Sequence, residues 1–484
     1  MISKKFIQSS AVYTIVGALP FASGFLLLPW FTHLLTPAQF GVNVLFISLM
    51  YLIQILGSFG LDMSASIMYF DYKDDKHKLG QFIGTILLGI TITGSFTAIF
   101  FLFGGFHLFN VIFGSTKILD LLPFGVITIF SGVLNGVFKT YSSLLIYQQR
   151  PARFFWLNIV NFIITIGASL GLLYLFPYNL LGPVLGRLVP AVVSSGFSVF
   201  LLSKEYGFNW NKSLIKPIFS VSFPLLIYAL LTWVVSYIDR FIILRLSGDP
   251  VSVGIFDFAV KLVLFIELMI TGLINTINPK VFSIWKEKNL NYGTVEVNRY
   301  YNGLTALILL LIPAFVMLAP IIIPVIIKKV IYYQSFQFLV ILTAGYASRV
   351  WFFMYLAPLL FFKKTKSLPK VFLMSAVLQI VASTGLIYFF GLIGAVYANF
   401  LTKQFQAFFM YLESRKVFHF KVNIWKIYIL PVTLMAMLAG SEFFITQGSR
   451  FYFQIFQLLT IAFLVYLVYR KELATLVKTY IYRK

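Results

Sequence analysis

Cysteine is absent from this sequence of 484 residues, and only 4 residues are histidine. Without cysteine there can be no structural disulfides or thiolate metal sites, and no His-x-x-x-His pair is present to hold zinc. Charged residues are also scarce: they make up 11% of the chain, against about 25% in soluble domains. Hydrophobic residues make up 60%. A chain with so few polar groups cannot cover itself with polar surface, and we expect it to lie in a bilayer.

Long polar segments are missing as well. Apolar runs of about 20 residues, the length that crosses a bilayer as a helix, follow one another with short connections. No connection leaves room for a soluble catalytic domain. The sequence therefore predicts an all-α integral membrane protein with about 14 transmembrane helices. The predicted runs cover roughly residues 10–34, 41–64, 80–106, 121–147, 154–176, 180–202, 217–238, 251–275, 301–327, 333–361, 371–390, 392–412, 425–446 and 451–469.

The net charge of +23 is explained by where the basic residues lie. Most of the 38 Lys and Arg residues fall in alternate connections and at the two ends of the chain, as the positive-inside rule requires of cytoplasmic segments. The pattern predicts cytoplasmic N- and C-termini and needs no nucleic acid partner. The predicted outer connections hold only Lys117, Arg240, Arg245, Lys328, Lys329 and Arg450.

Two landmarks recur at a nearly constant distance along the chain. The pattern Pro-x-x-x-Gly at residues 37–41 returns at residues 250–254, and both copies lie between apolar runs. A Gly-x-Val pattern at residues 182–184 likewise returns at residues 394–396. The repeat predicts two homologous six-helix lobes. Because six is an even number, the lobes are expected to be related by a pseudo-twofold axis along the membrane normal.

The predicted domains follow from this repeat. Residues 1–212 form an N-terminal lobe of helices 1–6, and residues 213–416 form a C-terminal lobe of helices 7–12. Residues 417–484 hold helices 13 and 14 and a cytoplasmic tail.

Basic residues inside the predicted helices are few. A charge at the bilayer centre costs about 2.5–3.5 kcal/mol on insertion scales, so these residues should face the bundle interior rather than lipid. Lys139 on the fourth run is predicted to lie at a depth similar to Arg349 on the tenth run. Arg187 on the sixth run is likewise predicted to lie at a depth similar to Lys403 on the twelfth. The spacing predicts a cationic lumen between the lobes, lined by Lys139, Arg187, Lys261, Arg349 and Lys403.

Acidic residues inside these helices are rarer still. Asp257 and Lys261 are spaced i,i+4 with the acid first, the favourable order for an intrahelical pair. Alternatively, Asp62, Asp257 and Glu267 are candidates for binding a coupling Na⁺ or H⁺. A further pair at the outer end of the seventh run is expected to form an anchor or a gate: Asp239 and Arg240.

Three stretches point to a known family. They are LLPWFTHLLTPAQFGVNVLF near the start, IDRFIILRLSGDPVSVGIFDFAVKL in the middle and GLIGAVYANFL in the twelfth run. With the layout of six, six and two helices, the whole chain resembles Wzx-type polysaccharide flippases of the multidrug/oligosaccharidyl-lipid/polysaccharide exporter superfamily. The resemblance implies that an undecaprenyl-diphosphate-linked oligosaccharide moves from the inner to the outer leaflet of the bacterial cytoplasmic membrane. It also implies alternating access through a cationic cavity.

The resemblance also sets expectations about partners. It implies a transporter rather than an enzyme, with no cofactor other than Na⁺ or H⁺ as a coupling ion. The partners would be the lipid-linked oligosaccharide and the bilayer, and other polysaccharide assembly proteins remain open as partners. Independently of the resemblance, the five predicted lumen cations suit an anionic headgroup such as a diphosphate, because arginine binds phosphate oxygens in bidentate fashion. One chain holds both predicted halves, so a monomer is expected.

Three alternatives remain open. A lipid II-type flippase belongs to the same superfamily, and sequence alone separates it poorly. A cation-coupled multidrug exporter would need acidic groups in the lumen for cationic drugs, whereas this interior is basic. A membrane glycosyltransferase or polymerase acting on the same lipid is a different class, and it usually needs a sizeable outer loop that the sequence lacks.

The cationic lumen leads to a first prediction. Replacement of each of the five intrahelical cations by alanine should abolish export, because each removes charge that binds the diphosphate, while the protein remains folded and inserted. Export is measured in cells that carry each variant, with membrane insertion checked on the same samples. Normal export by all five variants would disprove the cationic-lumen mechanism.

Overall fold

The structure, a computed structural model, describes residues 13, 16, 17, 19–115, 118–287, 290–364, 367–419, 421–444 and 450–481. Every regular element in these ranges is a helix, which confirms the predicted all-α fold. Over its described part, each predicted apolar run falls on helical structure. Parts of the first run, residues 445 and 446 of the thirteenth, Lys117 and the last residues of the tail lie outside the described residues.

Ten of the described helical segments are long and apolar enough to cross a membrane, which makes this a multi-pass membrane protein. The other four predicted runs also lie on helices, and their crossing of the bilayer stays a prediction. Large apolar side chains are exposed on many of these helices: Phe103 is 86% exposed and Phe389 is 75% exposed. Such exposure suits surfaces that contact lipid rather than water.

The first of two compact units extends to Asp257. Its core includes Leu61, Phe82 and Leu145, each fully buried. Single turns of π-helix extend α5 and precede α7. The helices are α1 (Leu19–Leu26), α2 (Leu28–Leu34), α3 (Pro37–Ser58), α4 (Leu61–Tyr72), α5 (Lys76–Phe100), α6 (Phe106–Phe113), α7 (Val126–Tyr147), α8 (Pro151–Leu175), α9 (Leu181–Tyr206) and α10 (Lys212–Ser247).

The second compact unit begins at Phe258. The predicted division at residues 212 and 416 rests on the internal repeat and stays a prediction. A 3₁₀-helix at Val330–Phe338 and a break at Ser348 divide the tenth predicted run into three pieces. The helices are α11 (Pro250–Glu287, which starts in the first unit), α12 (Leu290–Ile326), α13 (Leu339–Ala347), α14 (Arg349–Phe361), α15 (Leu368–Phe390), α16 (Leu392–Arg415), α17 (Leu430–Phe444) and α18 (Arg450–Ile481).

The repeated Pro-x-x-x-Gly pattern begins a helix in both of its copies. α3 starts at Pro37, and the Thr36 hydroxyl accepts a hydrogen bond from the Gln39 backbone N–H at 3.2 Å. α11 starts at Pro250, and the Asp249 carboxylate accepts from two backbone N–H groups of the first turn. Proline suits the first helical position because the N–H there has no partner within the helix.

The two repeated turns pack directly on each other, and glycine makes this possible. A Cβ atom added to Gly41 would lie 1.8 Å from the carbonyl oxygen of Pro250. One added to Gly254 would lie 3.3 Å from the carbonyl oxygen of Pro37. The first turns of α3 and α11 therefore meet backbone to backbone. This contact explains why both copies of the pattern carry glycine at the same position.

The second repeated landmark also permits a close approach in each copy. A Cβ on Gly182 of α9 would lie 2.8 Å from the Cα of Leu173 in α8, and one on Gly394 of α16 would lie 2.0 Å from the carbonyl oxygen of Leu386 in α15. In both places a helix packs tightly against the one before it. The repeat itself stays a prediction.

The second predicted run is not one helix. It breaks between α3 and α4, where Phe59 and Gly60 have left-handed backbone conformations with φ of +51° and +74°. Glycine is required at the second position because a Cβ there would lie 2.4 Å from the carbonyl oxygen of Ser222. The break places Asp62 in the first turn of α4, where the helix dipole favours a carboxylate.

The close contact between α3 and α11 predicts that adding one methyl group at Gly41 destabilises the protein. Gly41→Ala should lower the free energy of unfolding by about 1–3 kcal/mol, because a Cβ has no space beside Pro250. Thermal unfolding of the purified protein, followed by tryptophan fluorescence, measures the change. The matched control is Gly171→Ala in α8, where nothing lies within 4 Å of an added Cβ. Equal stability of the two variants would contradict the close contact.

Candidate functional site

A cavity of about 550 Å³ lies within the first unit. Helices α3, α7, α8, α9 and α10 all contribute to its wall. Amides and hydroxyl groups are frequent in the lining, which is unusual for the interior of a membrane-spanning bundle. The charged and amide side chains that line it are Lys139, Arg187, Gln54, Asn135, Asn158 and Asn161.

Lys139 reaches this cavity from α7 and is paired with Asp62. Its Nζ lies 2.9 Å from the Asp62 Oδ2. The Lys139 side chain is 40% exposed, whereas the Asp62 side chain is 3% exposed. A predicted lumen cation and a predicted coupling-ion candidate therefore neutralise each other across α7 and α4.

Arg187 reaches the same cavity from α9 and makes no ion pair, hydrogen bond or cation–π contact with any residue that the structure describes. Its Nε is inaccessible and has no acceptor, whereas the two terminal nitrogens remain accessible. Beside it on α3, Asn43 is 1% exposed, and neither atom of its amide has a partner. Arg187, Asn43, Thr128 and Ser131 line a second, small cavity of about 10 Å³, which is about the space of one water.

Aromatic rings line another part of the large cavity. The ring centroids of Tyr51 and Tyr237 are 5.4 Å apart, and those of Trp233 and Tyr237 are 6.3 Å apart. The Trp233 indole N–H donates to the carbonyl oxygen of Ser48 at 2.8 Å, which fixes the orientation of the ring. Flat apolar rings beside amides suit a ligand that has both apolar faces and hydroxyl groups. A sugar has both.

The predicted pair Asp239 and Arg240 is part of a buried triad. Arg240 is 4% exposed, and its Nη1 lies 2.7 Å from the Asp239 Oδ1. Its Nε and Nη2 donate to the Asp257 Oδ1 at 3.1 and 2.9 Å. The guanidinium also lies over the rings of Tyr237 and Phe256. Sequence reasoning paired Asp257 with Lys261 and missed the Arg240 contact, because that contact joins residues on two helices.

Arg349 is the centre of a polar cluster in the second unit. Its Nη2 lies 3.1 Å from the Glu267 Oε1, and its Nη1 donates to the Gln406 Oε1 at 2.9 Å. The guanidinium lies over the rings of Phe352 and Phe353, 4.6 and 5.2 Å from their centroids. A second coupling-ion candidate, Glu267, is therefore paired with a predicted lumen cation.

The remaining two predicted cations also lie in the second unit. Lys403 on α16 donates from its Nζ to the Asn399 Oδ1 and lies 4.2 Å from the centroid of the Tyr346 ring. Lys261 is partly buried on α11.

A second large cavity, of about 480 Å³, lies in the second unit and has a different character. Helices α12, α13, α14, α16 and α17 form it, with apolar side chains such as Ile308, Trp351, Phe400 and Met435. None of the predicted site residues lines it. Its apolar lining suits a hydrocarbon group of a ligand rather than a charged group.

Of the five predicted lumen cations, two line one cavity of the first unit, and the other three lie in the second unit. A lumen shared by all five therefore stays a prediction. Charge analysis found Arg187 but missed Asn43 and the amides of the cavity. The available signal was an isolated amide in an apolar run, as at Asn43 in GVNVLF.

The Lys139–Asp62 pair leads to a prediction about stability. Lys139→Ala should lower the free energy of unfolding by about 1–3 kcal/mol, because it leaves the buried Asp62 carboxylate without a partner. The loss should be smaller than the 3–5 kcal/mol of a fully buried pair, since Lys139 is partly exposed. Thermal unfolding of Lys139→Ala, Asp62→Asn and the double variant measures the coupling. The double variant should recover most of the loss, and strictly additive effects would contradict the pairing.

Comparison with solved structures shows a shared fold. The lipid II flippase MurJ, in an inward closed conformation, superposes with a TM-score of 0.71 at 15% identity, over 96% of this chain and 98% of that one. An inward-facing multidrug resistance MATE family transporter of the MOP superfamily superposes with a TM-score of 0.65 at 15% identity, over 83% of this chain and 94% of that one. A MOP superfamily transporter from Pyrococcus furiosus is described as having a binding pocket of reverse polarity. It superposes with a TM-score of 0.60 at 14% identity, over 85% of this chain and 95% of that one.

These similarities confirm the fold of the multidrug/oligosaccharidyl-lipid/polysaccharide exporter superfamily, which the sequence resemblance predicted. Among curated proteins, no sequence matches this chain. The family model described as polysaccharide biosynthesis protein matches residues 6–285, more than half of the chain. The chain therefore belongs to the polysaccharide biosynthesis protein family.

Proposed function

We propose that this protein flips an undecaprenyl-diphosphate-linked oligosaccharide from the inner to the outer leaflet of the bacterial cytoplasmic membrane. Surface polysaccharide synthesis would use the flipped lipid. The observation that carries the proposal is the polar cavity of the first unit, where Arg187, with no counter-ion among the described residues, lines the same space as amides and aromatic rings. An anionic, sugar-bearing ligand supplies the charge and hydroxyl groups that such a lining can bind.

The driving force of this step follows from charge. A diphosphate that moves outward moves along a membrane potential that is negative inside, which is worth about 2.3 kcal/mol for each elementary charge per 100 mV. Alternating access would expose the cavity first to one side of the membrane and then to the other. Na⁺ or H⁺ is the proposed coupling ion, with Asp62, Asp257 and Glu267 as candidates and with Asp239 and Arg240 as a gate or anchor.

The cellular setting is part of the proposal. We propose that both termini lie in the cytoplasm, which the basic residues of alternate connections support. A single chain that contains both predicted lobes would act as a monomer. Other polysaccharide assembly proteins would supply the substrate or use the product, because a flipped lipid-linked repeat unit needs an enzyme on each side of the membrane.

A lipid II-type flippase is the second candidate, favoured by the structural similarity to MurJ over nearly the full length of both chains. A drug exporter for cations is less well supported, because the carboxylates Asp62 and Glu267 are each paired with a cation. A glycosyltransferase or polymerase would need catalytic groups on an outer segment, and the outer connections are short.

Cells that lack this protein test the proposal. Lipid-linked oligosaccharide should accumulate in the inner leaflet, because its headgroup cannot cross the bilayer unaided, and wild-type protein should relieve the accumulation. A leaflet-resolved assay of the labelled lipid measures this, with lipid II followed in parallel. Retention of lipid II alone would favour the second candidate. Normal delivery of both lipids to the outer leaflet, with polymer missing, would instead indicate a later enzymatic step and contradict the proposal.

A further inference from the structure

The apolar cavity of the second unit has polar groups in its wall, but the protein uses them internally. The hydroxyl groups of Thr305 and Ser348 donate to backbone carbonyl oxygens one turn earlier, at 2.9 and 2.6 Å. The Trp351 indole N–H donates to the carbonyl oxygen of Ile427 at 2.8 Å. None of the described residues that line the cavity is charged. A group that binds there therefore needs no polar atom, and hydrocarbon suits it best.

Small side chains make room for this cavity. Ala344 and Ala347 on α13 line it, as do Ala436 and Ala439 on α17. Its volume of about 480 Å³ is roughly three times that of an apolar cavity that binds benzene. The space therefore suits a hydrocarbon chain rather than a single ring, and a chain there gains dispersion contacts with the lining side chains.

The mouth of the cavity lies on the exposed side of α17. Val432 and Ala436 both line the cavity and are exposed. Trp425, in the π-helical turn that precedes α17, is 70% exposed, and exposed tryptophan is typical of the level of the lipid headgroups. Val432 follows Trp425 by seven residues, or about 10 Å at 1.5 Å per residue. At that depth a bilayer consists of acyl chains, so the mouth faces hydrocarbon.

Two exposed cations, which we call the basic rim, lie on the predicted cytoplasmic side of α12 and α17. They are Arg299 on α12 and Lys421 in the connection before α17. The Asn298 side-chain amide donates to the Lys421 backbone carbonyl oxygen at 2.5 Å, which holds the two segments together. Thr305, in the cavity wall, follows Arg299 by six residues of α12, or about 9 Å. A lipid whose phosphate contacts the basic rim can therefore place an acyl chain in the cavity.

The wall of the cavity includes the backbone segment that carries Arg349. Both of its neighbours, Ser348 and Val350, line the cavity. Arg349 itself contacts Glu267 and Gln406, at 3.1 and 2.9 Å. The break between α13 and α14 falls at Ser348. A chain in the cavity therefore supports this break from a second side and helps to fix the backbone that positions Arg349.

We propose that this cavity binds one acyl chain of an anionic phospholipid of the cytoplasmic leaflet, and that the basic rim binds its phosphate. The bound lipid stabilises the break between α13 and α14. It is a resident lipid rather than the transported one. A transported lipid must leave with its headgroup, whereas cations at the membrane surface suit a headgroup that stays there. The proposal goes beyond the transport function and does not depend on the identity of the transported substrate.

Lipid binding to the purified full-length protein tests the site. Dioleoylphosphatidylglycerol and dioleoylphosphatidylcholine have the same chains and differ in net charge, and each is titrated into the protein in detergent. Native mass spectrometry counts the lipids that the protein retains, and thermal unfolding measures its stability. Wild type should retain one phosphatidylglycerol and unfold at a higher temperature with it, because a ligand of the folded state stabilises that state. Phosphatidylcholine should be retained less and should shift the unfolding temperature less.

Two kinds of variant separate the chain from the headgroup. Arg299→Gln and Lys421→Gln should each weaken phosphatidylglycerol binding about fivefold through loss of one surface charge, and leave phosphatidylcholine binding unchanged. Ala344→Leu/Ala436→Phe fills the cavity and should abolish retention of the lipid. In detergent alone this filled variant should unfold at or above the wild-type temperature, as cavity-filling substitutions commonly do. The matched control, Lys76→Gln, removes an exposed lysine at the start of α5 and should bind both lipids as wild type does.

Four results would overturn the site. They are no lipid retained by wild type, equal binding of the two lipids, an equal loss in the Lys76→Gln control, and undiminished retention by the filled variant. The rim variants change only exposed side chains, so they decide the outcome even if the filled variant fails to fold. Undecaprenyl phosphate, added at equal concentration, should not displace phosphatidylglycerol from wild type. Displacement would assign the cavity to the chain of the transported lipid and overturn the proposal.

Discussion

The cost of placing charge in a low-dielectric bilayer determines how the polar groups of this protein are arranged. Arg240 is buried between Asp239 and Asp257, which lie on two successive long helices. The pair Lys139–Asp62 joins α7 to α4, and Arg349–Glu267 joins α14 to α11. Helices in lipid lack the hydrophobic driving force that holds soluble bundles together. Each ion pair therefore neutralises charge and also links helices at a defined register.

Small residues provide the second means of association. Gly41 and Gly254 let two helix ends meet through their backbones, and Gly182 and Gly394 do the same within two pairs of consecutive helices. Close approach increases dispersion contacts, which, with interhelical hydrogen bonds, hold membrane helices together. At these glycines a side chain would prevent the observed close packing.

Composition and periodicity were sufficient to predict an all-helical membrane protein and the approximate limits of its apolar runs, because the bilayer imposes length and polarity directly. They could not predict the break at Phe59 and Gly60, which depends on a contact with Ser222 of α10. Charge alone identified Lys139 and Arg187 as equivalent. The difference between them arises from Asp62, whose distance from Lys139 depends on that same break, and from Asn43, an uncharged side chain that hydropathy analysis passes over.

The backbone contact between the first turns of α3 and α11 has a consequence for motion. Two surfaces that interlock through large side chains leave voids and expose apolar area when they separate. At this contact the atom nearest to a Cβ on Gly254 belongs to the fully buried ring of Phe40, so separation of the two helix ends would expose an apolar ring as well as peptide groups. A ligand that opened the contact would therefore have to supply the free energy of that exposure.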